Sequence, residues 1–297
     1  MNDAVRDQSE LATTLKAREF DQIRRVAYEY CGLDIRPGKE HLVSARLGKL
    51  MRQLGMRSFR EYYDYVKHDR SGQALVSMVD ALTTNHTGFF REKQHFQFLE
   101  NVVLPALSKR SRIEIWSAAC STGEEPYSLV FAVLERVANS QAQELRIFAT
   151  DISSRALATA QQGIYRQDRL NGLDSTIMAK YLLKGTRRAE GLCRIKPHIR
   201  DMVQFERLNL MEPFTGVGAF PLILCRNVMI YFDAQTQQDL VGRLSRQLEP
   251  GGYLFIGHSE SLNGIAHSLK YVCPAVYRNS GELRSENSRS ENSRNIA

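Results

Sequence analysis

Apolar positions in the first 82 residues recur at helical spacing. One run ends at Gly32 and a second at Gly55, and a glycine after the last apolar position is a common helix stop. A third run follows Ser58, which suits an N-cap, and a fourth covers residues 74–82. No strand pattern interrupts these runs. The sequence therefore predicts a helical domain over residues 1–82.

After residue 92 the pattern changes, because β-rich apolar runs now alternate with helical ones. The expected strands cover residues 113–116, 145–150, 203–208, 221–225 and 253–257. The expected helices cover residues 125–137, 153–162 and 235–248. Such alternation predicts a doubly wound parallel sheet. We place this second domain at residues 93–278, joined to the first by a linker at 83–92.

Two segments depart from the alternation. Residues 163–201 contain a short helical piece and the apolar run 192–196, which we interpret as an insertion carrying a small antiparallel sheet. From residue 279 the chain is polar and repeats Arg-Ser-Glu-Asn-Ser in tandem. Too few apolar residues occur there to form a core, so a disordered tail is predicted over 279–297.

Composition narrows the class of protein. Hydrophobic residues make up 43% and charged residues 25%, as in ordinary globular domains. The chain begins without a secretory signal and has no apolar run of about 20 residues, so a cytoplasmic protein without membrane insertion is expected. Five scattered cysteines without a C-x-x-C pair argue against disulfides and against a zinc site, and no metal is expected. The net charge of +7 suggests an acidic partner of unspecified class.

The candidate chemistry lies in the loops that follow the strands, where a doubly wound sheet binds its ligands. The first loop, residues 117–128, is rich in small residues, but only Gly123 is a glycine, so a diphosphate dinucleotide is disfavoured. Asp151 ends the second strand and is placed to accept hydrogen bonds from ribose hydroxyls. A tight turn and a helix N-cap are the alternatives. Together the two loops indicate an adenosine-containing ligand.

Two further polar segments stand out. Arg226 and Asn227 follow the fourth strand, with Tyr231 close behind, and an amide there can hold polar groups of a ligand. Residues 83–92 carry hydroxyl, amide and guanidinium groups beside two phenylalanines, at a domain junction where clefts are common. A turn asparagine and a plain linker are the simpler interpretations.

Four motifs together closely resemble the chemotaxis receptor methyltransferase (CheR) family. They are TTNHTGFFRE at 83–92, WSAACSTGEEPYS at 116–128, CRNVMIYF at 225–232 and GHSE at 257–260. The likeness covers about residues 15–278, with Cys120 as a departure where alanine is expected. It implies an α/β fold: a doubly wound Rossmann-like methyltransferase sheet with an N-terminal all-α domain and a small inserted antiparallel β-subdomain. It also implies S-adenosylmethionine as cofactor and S-adenosylhomocysteine as product.

The resemblance assigns roles to matched positions. Cofactor contacts are expected at Asn85, Thr87, Arg91, Glu125, Asp151, Asn209, Leu210, Asn227 and Val228. Arg91 and Tyr231 are the candidates for positioning the substrate carboxylate. The basic residues Arg46, Lys49 and Arg52, spaced three apart on one helix, are candidates for binding the substrate, with a merely solvated surface as the alternative.

The function implied is transfer of a methyl group to glutamate carboxylates of chemoreceptors (methyl-accepting chemotaxis proteins), giving methyl esters for sensory adaptation. A glutamate is ionised at pH 7, since its pKa is about 4.3, so no general base is required. The resemblance further suggests a monomer recruited to membrane receptor arrays. The insertion is expected to bind a receptor C-terminal peptide, or else to be a structural flap.

Two other functions fit parts of the sequence. A nucleic-acid methyltransferase would suit the basic pI of about 9.2, but the loop 227–230 lacks the prolines common in enzymes that methylate base amines. A non-catalytic adaptor for receptor tails is the second. The presence of Arg91, Asp151 and Asn227 speaks against it.

Overall fold

The computed structural model describes residues 14–83, 85–137 and 144–281. Thr84 of the first motif and most of the predicted tail, residues 282–297, lie outside the described residues. Asn279, where the sequence places the start of the tail, is the last residue of the final strand.

The N-terminal part is helical, as predicted, with α1 (Ala17–Cys31), α2 (Glu40–Gln53), α3 (Phe59–His68) and α4 (Gln73–Leu82). Ser58 caps α3, because its hydroxyl accepts the Glu61 N–H at 3.2 Å. Gly32 closes α1 with a φ of 71°, and a β-carbon there would lie 2.6 Å from the sulfur of Met211. This glycine therefore lets the helical domain pack closely on the sheet domain.

A helical segment that the sequence did not predict connects the two parts. It consists of α5 (Lys93–Phe98), a π-helical turn (Leu99–Val103) and α6 (Leu104–Leu107). Pro105 has no N–H to donate to the preceding turn, which accompanies the local widening of the helix.

The rest of the described chain alternates between strands and helices. The strands are β1 (Arg112–Ala118), β2 (Glu144–Asp151), β3 (Ile164–Arg166), β4 (Leu182–Lys184), β5 (Leu192–Ile195), β6 (Val203–Arg207), β7 (Phe220–Cys225), β8 (Leu248–Ile256), β9 (Leu269–Cys273) and β10 (Val276–Asn279). The helices are α7 (Glu124–Val137), α8 (Ser154–Gln162), α9 (Ser175–Tyr181), α10 (Pro197–Arg200) and α11 (Ala234–Arg246).

Seven strands form the main sheet in the order β6-β2-β1-β7-β8-β10-β9. The first five are parallel, which confirms the predicted doubly wound core. Strands β10 and β9 add an antiparallel hairpin that the sequence did not predict, so the sheet is mixed. The strand order reverses between β1 and β7, so the ligand-binding switch point lies at their carboxyl ends.

Side chains of β1 alternate between the two faces of the sheet. Ile113 and Ile115 join the core formed with α7, whereas Trp116 joins the core on the other face, which α11 covers. Helices on both faces therefore bury the central strands.

The insertion folds as predicted into a three-stranded antiparallel sheet, in the order β3-β5-β4. Its core is continuous with that of the main sheet, since Tyr165, Cys193 and Ile195 belong to the same buried cluster as α7. The inserted β-subdomain is therefore packed against the main sheet domain.

Candidate active site

A cleft of about 960 Å³, counting the space at its mouth, opens at the switch point. The linker and the loops after β1, β2, β6 and β7 surround it, and the end of α1 contributes Cys31 and Leu33. The structure brings ten of the predicted site residues to its lining: Asn85, Thr87, Arg91, Glu125, Asp151, Asn209, Leu210, Asn227, Val228 and Tyr231.

The loop after β1 takes a tight, left-handed path. Ala119, Ser121 and Gly123 have φ values of 69°, 51° and 96°. A β-carbon on Gly123 would lie 2.8 Å from the Tyr165 hydroxyl, so only glycine fits. The Ser121 hydroxyl is buried without a hydrogen-bond partner among the described residues, although Ser121 lines the cleft. An unsatisfied hydroxyl at this place fits a polar ligand.

Asp151 is buried at the end of β2, with 8% of its surface exposed. Its carboxylate accepts the N–H groups of Ser121 and Ser153, both at 2.8 Å. Burial raises the pKa of Asp151, while these two bonds act in the opposite direction. Ser153, which accepts the Ala156 N–H at 3.1 Å, is the N-cap of α8. A carboxylate has about four acceptor positions, so Asp151 retains capacity for ligand hydroxyls.

Arg226 is a buried cation in the wall of the cleft, with 2% of its side chain exposed. It donates to Glu92 and to Glu125, each at 2.9 Å, so two carboxylates neutralise it. Glu125 also accepts the Ser117 hydroxyl at 2.6 Å. Burial alone would raise the pKa of Glu92, but His95, Arg226 and Asn227 hold it well below its usual value. Glu125, a predicted cofactor contact, therefore also belongs to the supporting framework.

Asn227 is held in a left-handed conformation, with a φ of 58°. Its side-chain amide donates to Glu92 at 3.1 Å, and its backbone N–H donates to Glu260 at 3.0 Å. Glu260 also accepts the N–H groups of Gly257 and Ile230, and burial raises its pKa. These bonds fix the amide at the edge of the cleft.

Arg91 and Tyr231 lie on the cleft wall, half-buried. The Arg91 guanidinium donates to the His86 carbonyl at 2.6 Å. Tyr231 ends the 3-10 turn Met229–Tyr231, and its carbonyl accepts the Asp34 N–H at 2.8 Å. The helical domain thus helps to place the tyrosine.

Asn209, Leu210 and Val228 complete the lining. The Asn209 amide donates to the Tyr30 carbonyl at 2.7 Å, so it also ties α1 to the loop after β6. Leu210 is buried, with 8% exposure, and Val228 is half-buried. These two residues give the cleft apolar surface beside its polar groups.

The three basic candidates on α2 lie away from the cleft lining. Lys49 and Arg52 are exposed. Arg46 is half-buried and donates to the Leu82 carbonyl at the end of α4. The helical spacing was read correctly, but Arg46 also joins two helices of the domain.

Side chains of the insertion form hydrogen bonds with residues of the cleft. Arg169 donates to the fully buried Glu124, at the start of α7, and to the Thr87 carbonyl at 3.3 Å. The Tyr165 hydroxyl donates to the Thr122 carbonyl at 2.7 Å. The β-subdomain therefore supports both the loop after β1 and the linker.

The sequence singled out Arg226 without its partners, and Glu92, Gly257 and Glu260 were missed as site residues although the quoted motifs contain them. The backbone conformation in the structure marks the same region. Seven described non-glycine residues have a positive φ, and five of them belong to the linker and the cleft loops, namely Phe90, Glu92, Ala119, Ser121 and Asn227. Strain of this kind concentrates at functional sites.

No helix of the described ranges has the length and apolarity needed to cross a membrane.

Two family models match the chain. One describes the CheR methyltransferase all-alpha domain and covers residues 18–83; the other describes the CheR methyltransferase SAM-binding domain and covers residues 85–277. S-adenosylmethionine is therefore the ligand expected from family and cleft alike.

Several curated relatives match this chain in sequence along most of their length. The chemotaxis protein methyltransferase of Borreliella burgdorferi is 37% identical over 88% of this chain and 93% of that protein. Chemotaxis protein methyltransferase 1 of Pseudomonas aeruginosa is 39% identical over 86% and 94%. The chemotaxis protein methyltransferase of Escherichia coli is 36% identical over 89% and 91%. This chain belongs to the CheR family of S-adenosylmethionine-dependent chemotaxis methyltransferases.

Proposed function

We propose that this protein is a protein-glutamate O-methyltransferase that esterifies glutamate side chains of chemoreceptors for sensory adaptation. The observation that carries the proposal is the convergence of ten predicted site residues on one cleft at the sheet's switch point. Cys31 at the end of α1 and Leu33 just after it also line the cleft, so the helical domain forms part of its wall. The proposed domains are a helical domain over 1–82, a linker over 83–92 and a methyltransferase domain that begins at residue 93 and includes Asn279, the last residue of β10.

The cofactor side of the cleft is acidic and partly apolar. S-adenosylmethionine supplies an electrophilic methyl group on a positively charged sulfonium. The carboxylates of Asp151 and Glu125 favour a cation nearby and accept hydrogen bonds from hydroxyl or amine groups. The Ser121 hydroxyl offers a further partner. Leu210 and Val228 provide apolar walls suited to a planar base.

Arg91 is the cation best suited to bind the substrate carboxylate. The other lining guanidinium, Arg226, is already neutralised by two carboxylates, whereas Arg91 forms no ion pair with the described residues. A charge-assisted bond from Arg91 would hold one carboxylate oxygen, with the Tyr231 phenol as a second donor. Because the carboxylate is already ionised, the protein's task is alignment rather than proton removal.

The exposed basic residues of α2 are proposed to dock the receptor. Lys49 and Arg52 present their side chains to solvent, where they can pair with an acidic receptor helix. Arg46 contributes charge to the same helix but also bonds to Leu82. Electrostatic docking of this kind speeds encounter and orients the substrate toward the cleft.

The β-subdomain is proposed as a second docking site, for a receptor C-terminal peptide. Strands β3 and β4 form the two edges of the small sheet. Each edge carries an exposed apolar side chain, Ile164 at 38% and Leu183 at 48%. A peptide added as a strand would tether the enzyme to its receptor, raise the effective substrate concentration and recruit a monomeric enzyme to receptor arrays.

The decisive experiment combines methyl-labelled S-adenosylmethionine with a receptor cytoplasmic fragment. We expect label in the fragment that mild base releases as methanol, as carboxyl esters require. An Arg91→Ala protein is the control for enzyme-dependent labelling. Base-stable label, or label only in added nucleic acid, would refute the proposal. Binding of the fragment without any transfer would instead indicate an adaptor.

A further inference from the structure

We propose that Glu92, His95 and His258 form a binding site for a divalent transition-metal ion such as zinc, beside the active site. One ligand atom from each residue lies within 4.8 Å of the other two. The three residues come from the linker, α5 and the loop after β8, so only the fold brings them together. This is why the scan of cysteine spacing pointed away from a metal.

His95 is the strongest sign of a missing partner. Its exposure is 2%, its Nε2 has no hydrogen-bond partner among the described residues, and its Nδ1 only faces the Glu92 carboxylate at 3.3 Å without hydrogen-bond geometry. The ring is fixed by stacking on Phe255, with centroids 5.1 Å apart, and by an edge contact with His258 at 4.6 Å. Unsatisfied buried polar atoms are rare in proteins, and a metal ion would satisfy one of these nitrogens.

The spacing of the ligands suits a tetrahedral ion. Two ligands that each lie about 2.0–2.1 Å from a tetrahedral zinc are about 3.3–3.4 Å apart. The Nδ1 atom of His95 lies 3.3 Å from a carboxylate oxygen of Glu92. His258 is exposed and can turn to complete the set. Two imidazoles and one carboxylate are a ligand set that zinc uses, with a fourth position left to water.

The local charge also favours a cation. Glu92 and Glu125 outweigh the single Arg226 guanidinium between them, which leaves a net negative charge. The Glu92 carboxylate already accepts bonds from Arg226, from the Asn227 amide at 3.1 Å and from the His258 N–H at 3.2 Å. The Glu92 oxygen nearest His95 is Oε2, which accepts from Arg226, whereas Oε1 accepts from Asn227 and His258. An ion bound at Oε2 would therefore displace Arg226.

This displacement links the metal site to the cofactor cleft. Arg226 lines the cleft and also pairs with Glu125, another lining residue. An ion that takes the place of Arg226 on Glu92 would shift Arg226 and Glu125 and weaken cofactor binding. By thermodynamic linkage, bound cofactor would weaken metal binding by the same factor. The site would therefore act as an inhibitory one.

Calorimetric titration of the tag-free, metal-free full chain with zinc chloride tests the site. We expect one ion per chain, and at least about tenfold weaker binding for His258→Ala, which alters an exposed side chain. His198→Ala, at an exposed histidine of α10, and Cys273→Ser, at the partly exposed cysteine, should bind as the wild type does. Absence of stoichiometric binding, equal binding by His258→Ala, or loss of binding in Cys273→Ser would overturn the assignment.

Two further measurements define the ligands and the coupling. Cobalt(II) should give the visible spectrum of a tetrahedral nitrogen-and-oxygen site, and a thiolate charge-transfer band would contradict it. Saturating zinc should weaken S-adenosylhomocysteine binding to the wild type and leave the affinity of His258→Ala unchanged. An unchanged wild-type affinity would refute the coupling to the cleft.

Discussion

Gly257→Ala should damage the cofactor site through one methyl group. A β-carbon at Gly257 would lie 2.4 Å from the Asn227 side-chain nitrogen, 2.8 Å from its backbone nitrogen and 2.9 Å from the Glu260 carboxylate. All three contacts are shorter than van der Waals distance. Gly257 does not have a left-handed φ, so alanine strains the structure by contact alone. The Asn227 amide must therefore move away from its position between Glu92 and the cleft.

Two free-energy changes follow from this displacement. Overpacking a fixed site costs about 1–3 kcal/mol of folding stability. Loss of one ligand contact through Asn227 costs about 0.5–1.5 kcal/mol of binding, which is roughly a 2- to 13-fold increase in the Kd of S-adenosylhomocysteine. Urea unfolding and calorimetry measure the two effects separately.

Gly218→Ala is the matched control, because a β-carbon at Gly218 meets no atom within 4 Å and its φ is also ordinary. It should leave both stability and Kd near the wild-type values. In an Asn227→Ala background, Gly257→Ala should weaken binding less, since the closest clash is gone. If Gly257→Ala matched Gly218→Ala in both measurements, the steric argument would be wrong.

Four other predictions follow from the same geometry. Asp151→Ala should weaken S-adenosylhomocysteine binding by about 0.5–1.5 kcal/mol for each hydrogen bond lost; unchanged calorimetric affinity in a folded variant would remove Asp151 from the site. Arg91→Ala should lower turnover with a receptor fragment far more than it lowers the unfolding midpoint, whereas turnover near wild type would leave Arg91 only structural. Lys49→Glu with Arg52→Glu should raise the KM for that fragment and flatten its salt dependence, and identical kinetics across salt would contradict the docking role. Burial raises the pKa of Cys31 to about 11, so its thiolate fraction at pH 8 is only about 0.1%. Alkylation of Cys31, measured by mass spectrometry, should therefore accelerate as the pH rises toward 11 and be suppressed by bound S-adenosylhomocysteine. Rapid modification at pH 8, with or without that ligand, would refute this.

Regular elements were predictable where periodicity was strong. The four N-terminal helices and four of the five parallel strands lie close to the predicted residues, because a helix or strand with one buried face imposes a regular apolar spacing. Strand β8 is the exception, since it begins at Leu248, five residues before the predicted start. The β9–β10 hairpin was missed, since β9 has three exposed positions in five residues and thus little apolar contrast. The segment from α5 to α6 was missed because its π-helical turn breaks the 3.6-residue period.

The site was predictable to the extent that its residues lie in motifs after strands. The sequence could not show which polar residues pair when they lie far apart along the chain. Arg226 and Glu92 are 134 positions apart, and no local pattern connects them. Likewise, helical spacing placed Arg46 on the basic face of α2 but could not show that its guanidinium reaches Leu82 on α4. Long-range polar pairs depend on the folded topology.

The hydrogen bonds between the insertion and the loop after β1 limit which parts of the β-subdomain can be swapped between relatives to change docking specificity. Arg169 and Tyr165 hold Glu124, Thr122 and the carbonyl of Thr87, so the β-subdomain is part of the wall that shapes the cleft. A chimera that replaces residues 163–201 wholesale must keep these two side chains, or catalysis is lost along with the original docking preference. Grafting only the outer edges of β3 and β4 would transfer the docking surface and leave that wall intact.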